Sequence, residues 1–267
     1  MDRIKAKYNI FPEVALILVG EDPASKVYIN SQIKSCKDLG IEAKAYLFEN
    51  DVTEKTLLEL IDRLNNAPLV DGIMLNLPLP KHMNVTKILN KINLVKDVDG
   101  FKAENLGLLF QNDSHFIAPS TPAGIMEMMK RYKIDLSGKD VVVIGRSNIV
   151  GKPVAALVLN SHGTVTICNS YTKNLQEKTK SADILISAVG KPQFIKADMV
   201  KEGAVVIDVG INKVGDRIVG DVDFENVEKK VSYITPVPGG IGALTVAMLF
   251  SNILKAFKRN RGILEVE

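Results

Sequence analysis

The chain has 267 residues, 46% of them apolar and 24% charged, enough for one large or two modest globular domains with a sizeable core. Its 34 basic and 31 acidic residues leave a formal charge of +3 without any basic tract, which argues against a nucleic-acid or membrane-surface binder and for a small-molecule partner.

In chain order, the opening Met-Asp-Arg-Ile-Lys has no apolar signal core. Strand patterns are expected at Val14–Val19, Glu42–Leu47 and Gly72–Leu75, with a short piece near Phe116. Helical patterns fill the intervals at Pro23–Leu39, Glu54–Asn65 and Val85–Ile92. Asp22 as N-cap followed by Pro23 at the first helical position is a strong helix start. A second series begins near Thr121, with strands predicted at Val141–Ile144, Thr164–Cys168, Asp183–Ala188 and Val205–Val209, each separated by a helix-length segment, which is the mononucleotide-binding pattern. Between Asn212 and Gly220, two short runs flank Gly215-Asp216, a pair suited to a tight hairpin turn. The longest apolar run, Ile241 to Leu254, is too short and interrupted for a bilayer span and reads as a buried helix. Two cysteines, Cys36 and Cys168, are too few for a disulfide framework or a metal site, so no metal is expected and a reducing cytosol fits.

The segment from Val141 to Pro153 runs from an apolar strand through Gly145-Arg146-Ser147-Asn148-Ile149-Val150-Gly151 into a helix. Glycine admits a phosphate close to the backbone, and the helix N-terminus behind it offers unpaired N–H groups and a positive dipole end. The spacing departs from the usual G-x-G-x-x-G, so its position between strand and helix carries the argument. NAD-selective sites usually place a carboxylate at the end of the second strand to bind the ribose hydroxyls. Here that strand ends in Cys168-Asn169-Ser170. Arg146 and Ser170 instead offer a cation and a hydroxyl to a 2′-phosphate, which favours NADP over NAD.

Seven segments, the glycine turn among them, stand in order along nearly the whole chain: Val19-Gly-Glu-Asp-Pro-Ala-Ser25, Ser25-Lys-Val-Tyr28, Asn76-Leu-Pro-Leu-Pro80, Lys96-Asp-Val-Asp99-Gly100, Pro119-Ser-Thr-Pro122, the glycine turn, and Thr235-Pro-Val-Pro-Gly-Gly-Ile-Gly242. Together they resemble the methylenetetrahydrofolate dehydrogenase/cyclohydrolases. The resemblance implies an α/β protein of two lobes with the active-site cleft between them. A folate-binding catalytic lobe would span 1–119 plus a C-terminal helix 241–267, and a Rossmann-like NADP lobe 120–240. It implies oxidation of 5,10-methylenetetrahydrofolate to the 5,10-methenyl cation, hydrolysis of that cation to 10-formyltetrahydrofolate, and a cytoplasmic homodimer joined through the cofactor lobe, with no nucleic-acid or membrane partner. By the same resemblance Tyr28, Gln32, Asn76 and Asp99 occupy the catalytic positions. Tyr28 would stack on the aminobenzoate of folate and Asp99 would accept hydrogen bonds from the pterin, with Pro238, Gly239 and Gly240 against the substrate. Gly145, Arg146, Ser147, Ile149, Ser170, Ile211 and Thr245 would contact the dinucleotide.

Five positions depart from the family pattern. Gln32 stands where a lysine follows the tyrosine by four residues, and the nearest downstream lysine, Lys34, is about 200° around the helix from Tyr28. Asn76 replaces a glutamine, Ser120 a cysteine, Ala243 a proline, and Tyr171 a basic residue beside the 2′-phosphate. The expectation is a retained dehydrogenase with a weak or absent cyclohydrolase. The competing readings are a fully bifunctional enzyme, a Rossmann dehydrogenase of another small substrate, or a folate- or NADP-binding protein without catalysis.

Overall fold

The computed structural model describes residues 10–263. The opening pentapeptide and the last four residues of the segment 241–267 lie outside them. The chain forms two compact units, divided after Gly107 and again after Met248, so that the residues from Leu249 onward belong with the first.

In the first unit, β1 (Glu13–Val19), α1 (Pro23–Asp38), β2 (Glu42–Phe48), α2 (Glu54–Asn66), β3 (Gly72–Leu75) and α3 (Val85–Lys91) alternate. They give a parallel sheet of order β2-β1-β3. The central strand β1 is buried on both faces, as its unbroken run Val-Ala-Leu-Ile-Leu-Val predicts for a covered parallel strand. The edge strand β2 alternates between exposed and half-buried. The side chain of Asp22 accepts the Ser25 N–H and starts α1 as expected. Leu57, Leu60, Ile61 and Leu64 form the buried stripe of α2 against Ile17, Ile73 and Leu75. After a short 3-10 turn at Leu94–Lys96 comes α4 (Ala103–Phe110).

The second unit starts near that helix and continues with α5 (Ser120–Arg131), β4 (Asp140–Ile144), α6 (Gly151–Asn160), β5 (Thr164–Cys168), α7 (Leu175–Ser181), β6 (Ile184–Ser187) and β7 (Val205–Asp208). Then come the hairpin strands β8 (Asn212–Val214) and β9 (Arg217–Val219), α8 (Phe224–Val227) and the two-residue β10 (Tyr233–Ile234). The five-stranded parallel sheet has the order β10-β7-β6-β4-β5. The chain leaves β4 for β5 on one side and then crosses to β6 on the other, which makes the C-terminal end of β4 a topological switch point, the usual ligand crevice of an open α/β sheet.

No strand forms near Phe116. Its N–H donates to the Asp113 carbonyl at 3.2 Å, closing a turn, so the aromatic residue there marks a loop. The final apolar run extends further than its composition implied, into α9 (Ile241–Asn260), 20 residues long. That is enough to cross a membrane by length and composition alone, yet Leu249, Ile253, Ala256 and Phe257 are buried. Within the first unit the Asn252 carboxamide donates to the Val98 carbonyl at 3.1 Å.

Just past α9, Arg261 Nε donates to Asp71 Oδ1 at 2.9 Å and its Nη2 reaches the Leu69 carbonyl. The carboxylate of Asp71 is fully buried and the Arg261 side chain is 24% exposed. Removing the guanidinium leaves a buried charge that keeps, among the described residues, the Glu13 N–H and the more distant Lys96 ammonium. Arg261→Met is therefore expected to lower unfolding free energy by about 2–3 kcal/mol, near the low end for buried pairs because the guanidinium is partly wet. Equilibrium denaturation in urea measures it.

Candidate active site

Three of the four catalytic candidates meet around the C-terminal end of β3 in the first unit. Tyr28 and Gln32 lie one helical turn apart on α1, and their shared face brings the Gln32 amide to the Tyr28 hydroxyl. Burial holds the Tyr28 phenol above its ordinary pKa, with the Gln32 bond opposing and the Asp99 charge adding to the rise. Gln32 is 2% exposed. Its Nε2 lies 3.3 Å from the Met74 sulfur, and its Oε1 is buried without a hydrogen-bond partner among the described residues. Lys34 is exposed, in keeping with its angular offset on the helix.

Asp99 is buried and accepts the Leu75 N–H. Its carboxyl is pushed up to about 8, chiefly by desolvation, then by the neighbouring Asp97 charge, against which the Leu75 bond works. Asp97 shapes the loop that presents Asp99. Its two oxygens accept the N–H groups of Gly100, Phe101 and Lys102 and the Asn105 amide. Sequence reasoning missed this role, although an Asp three residues before a glycine is an ordinary turn signal. Asn76, the fourth candidate, is tied back to β1: its Nδ2 and its backbone N–H both donate to the Ile17 carbonyl, at 3.2 and 2.9 Å. The Leu77-Pro78 peptide that follows is cis, as is Val237-Pro238.

At the switch point of the second unit, a cavity of 440 Å³ is lined by Gly145, Arg146, Ser147 and Ser170 together with Lys191, Phe194 and others. A Cβ on Gly145 would run into the Ala188 carbonyl, and one on Gly151 into the Gly145 carbonyl. Both positions therefore require glycine, and Gly145 also holds a φ of 123°. Ser147 Oγ accepts the N–H groups of Val150 and Gly151 at the start of α6. The glycine cradle and the cation fit a dinucleotide. Lys191, whose ammonium sits 5.5 Å from the Phe194 ring centre, was not anticipated, because nothing in the local pattern ties the loop after β6 to the glycine turn.

The remaining candidates lie elsewhere in the second unit. Ile149 and Ile211 are exposed outside this lining. Thr245 pairs with the Thr121 hydroxyl at 3.0 Å. Gly239 and Gly240 line a separate cavity of 430 Å³ that does not include Pro238. Tyr171 is 83% exposed.

The raised carboxyl of Asp99 fixes a sign. From the ordinary value of 3.8 up to about 8, the folded protein keeps a proton that the unfolded chain releases, so Asp99 lowers stability progressively across that window and by a constant amount above it. Asp99→Asn should raise stability at neutral pH by an amount on the order of a few kcal/mol, and should flatten the decline between the two pH values. Thermal melts of both proteins across that range test it.

The family model described as "Tetrahydrofolate dehydrogenase/cyclohydrolase, catalytic domain" matches residues 1–99, and the companion "NAD(P)-binding domain" matches 119–261. The bifunctional protein FolD of Fusobacterium nucleatum subsp. nucleatum is 70% identical over 264 residues, covering 99% of this chain and 93% of that protein. The crystal structure of the FolD dehydrogenase/cyclohydrolase of Campylobacter jejuni superposes with a TM-score of 0.94 at 47% identity, over 97% of this chain and 92% of that one. The Trypanosoma brucei enzyme, solved with NADP and an inhibitor, gives 0.92 at 35% identity, over 97% and 91%. With the motifs, the two units and these likenesses in agreement, the chain belongs to the tetrahydrofolate dehydrogenase/cyclohydrolase family.

Proposed function

We propose that this chain oxidises 5,10-methylenetetrahydrofolate with NADP as hydride acceptor, and that it hydrolyses the resulting methenyl cation weakly or not at all. The observation that carries the second half is the buried Gln32 amide beside Tyr28 and near Asp99, in the place where the family has an ammonium.

NADP, when bound, takes up the hydride of the methylene bridge; the remaining steps belong to the chain. Arg146 and Ser170 would hold the 2′-phosphate, and the backbone of the glycine turn at Gly145-Arg146-Ser147 would face the diphosphate. Tyr28 offers a ring face to the aminobenzoate. Asp99, protonated at neutral pH in the free protein, would ionise as the pterin's donors pair with it, so that substrate binding releases a proton. Hydride departure requires alignment of two rings and no protein-bound proton. Hydrolysis does require one: water must attack the bridge carbon and protons must move as the ring opens.

Gln32 can orient a water through its unpaired Oε1 but cannot exchange a proton. The two nearby loop lysines are committed elsewhere. Lys102 Nζ donates to the Asn90 and Ile92 carbonyls at the end of α3, and Lys96 Nζ to the Leu64 and Ala67 carbonyls at the end of α2. These bonds support the weak-cyclohydrolase reading over full bifunctionality. Gln32→Lys with Asn76→Gln is expected to raise enzyme-dependent decay of methenyltetrahydrofolate by about 10²-fold or more, since positioned proton transfer contributes roughly 10²–10⁴. Rapid hydrolysis by the unsubstituted protein would overturn the proposal.

We place the protein in the cytosol as a homodimer joined through the β8–β9 hairpin. Buried, unpaired Cys36 and Cys168 suit a reducing compartment. On the hairpin Val214 is 50% and Ile218 40% exposed, apolar side chains on two short strands that a second copy would cover. Val214→Glu with Ile218→Glu should convert a dimer to a monomer in sedimentation equilibrium. A protein that sediments identically with and without the substitutions rules the hairpin out.

A further inference from the structure

The cofactor cavity has a wall made by the loop after β6, and that wall is shaped by a carboxylate that does not line the cavity. Asp221 is fully buried. Its Oδ2 accepts the N–H groups of Val189 at 2.7 Å and Gly190 at 3.2 Å and lies 3.3 Å from the Ser187 hydroxyl. Its Oδ1 accepts the Lys191 N–H at 3.0 Å and the Asn212 amide at 2.9 Å. Gly190 has a φ of 64°, and that left-handed residue turns three consecutive N–H groups to one point, the backbone concavity that ordinarily binds an anion. Here the protein's own carboxylate fills it.

The surroundings are built to admit that carboxylate. A Cβ on Gly210 would collide with Asp221 Oδ1, and a Cβ on Gly220 with Asp208 Oδ2. Asp208 in turn accepts the Asp221 N–H at 2.9 Å and the Val222 N–H at 2.9 Å, so one buried carboxylate fixes the backbone that delivers the next. At the other end of the chain of contacts, Ala188 packs its carbonyl directly against Gly145. Val189 and Lys191 line the cavity beside Arg146 and Ser170.

We infer that Asp221 is a positioning residue for the cofactor: it sets the loop after β6 against the glycine turn and so fixes the width of the dinucleotide cavity. The inference rests on the reading of that cavity as the NADP site. An asparagine at 221 keeps one acceptor oxygen, loses the charge, and turns an N–H donor toward backbone donors. Hydrogen bonds to an ionised group contribute enough that Asp221→Asn should weaken NADP binding about ten-fold. Hydride transfer at saturating NADP should stay within about two-fold of the unsubstituted protein, since the loop touches the cofactor and not the reacting carbon. The KM for methylenetetrahydrofolate should not move.

The test is a fluorescence titration of NADP, with steady-state rates at saturating cofactor, for Asp221→Asn, Asn212→Ala and Arg146→Ala, each first checked for a cooperative melt. Asn212→Ala leaves the carboxylate and its loop bonds but frees one oxygen, and should weaken NADP about three-fold. It carries the test if Asp221→Asn does not fold. Weakened NADP binding with an unchanged saturated rate supports the inference. Unchanged NADP binding in the Asp221 and Asn212 variants, beside weakened binding in Arg146→Ala, overturns it and leaves the cofactor reading intact. Unchanged binding in all three overturns the cofactor reading and this inference with it.

Discussion

A buried carboxylate that gathers several backbone N–H groups is the constraint on which both halves of the chemistry depend. Asp97 does this in the first unit, drawing in Gly100, Phe101 and Lys102, and Asp208 and Asp221 do it in the second. At Asp97 and Asp208 burial raises the carboxyl pKa, and the directed donors work against that rise. The return is loop geometry that no apolar packing could specify, because a hydrogen bond fixes direction as well as distance. The desolvated Asp99 sits where such support is sparse, with the Leu75 N–H against the repulsion of Asp97. The group left poorly satisfied is the one proposed to meet the substrate, a distribution typical of functional sites.

The lysines divide along the same line. Lys96 and Lys102 lie within the Asp-Val-Asp-Gly neighbourhood and by composition alone could serve as acids. Both are instead spent on the orphan carbonyls at helix ends, where cations belong. This division ties both ammonium groups of the first unit's loop to helix ends.

Much of this was legible in the sequence, and for identifiable reasons. Fully buried parallel strands such as β3 and the Val14–Val19 stretch of β1 are unbroken apolar runs, and the Asp22-Pro23 start and the glycine turn are local signals that tertiary contacts do not override. The helix Ala103–Phe110 was not foreseen: its apolar Leu-Gly-Leu-Leu-Phe stretch is short, and its start depends on Asp97 and Asn105 meeting in space. The gathering of Tyr28, Gln32 and Asp99 followed from family resemblance. The partner groups that tune them, Asp97 above all, did not, because their contacts join segments that sequence spacing cannot relate. Asp221 is the extreme case. It acts on residues some 30 positions earlier, at 2.7 to 3.2 Å, and nothing near it in the chain announces a ligand.

The first unit is discontinuous: it needs the residues after Leu249 as well as those before Gly107. Its closing bonds, Val98 to Asn252 and Asp71 to Arg261, span 154 and 190 residues. On a ribosome, where domains form as their segments emerge, the second unit is complete while the first still lacks its last helix. The β1–β3 sheet must therefore wait, partly uncovered, for nearly the whole chain to be made, which makes the first unit the later to mature and the more exposed to chaperones and proteases during synthesis.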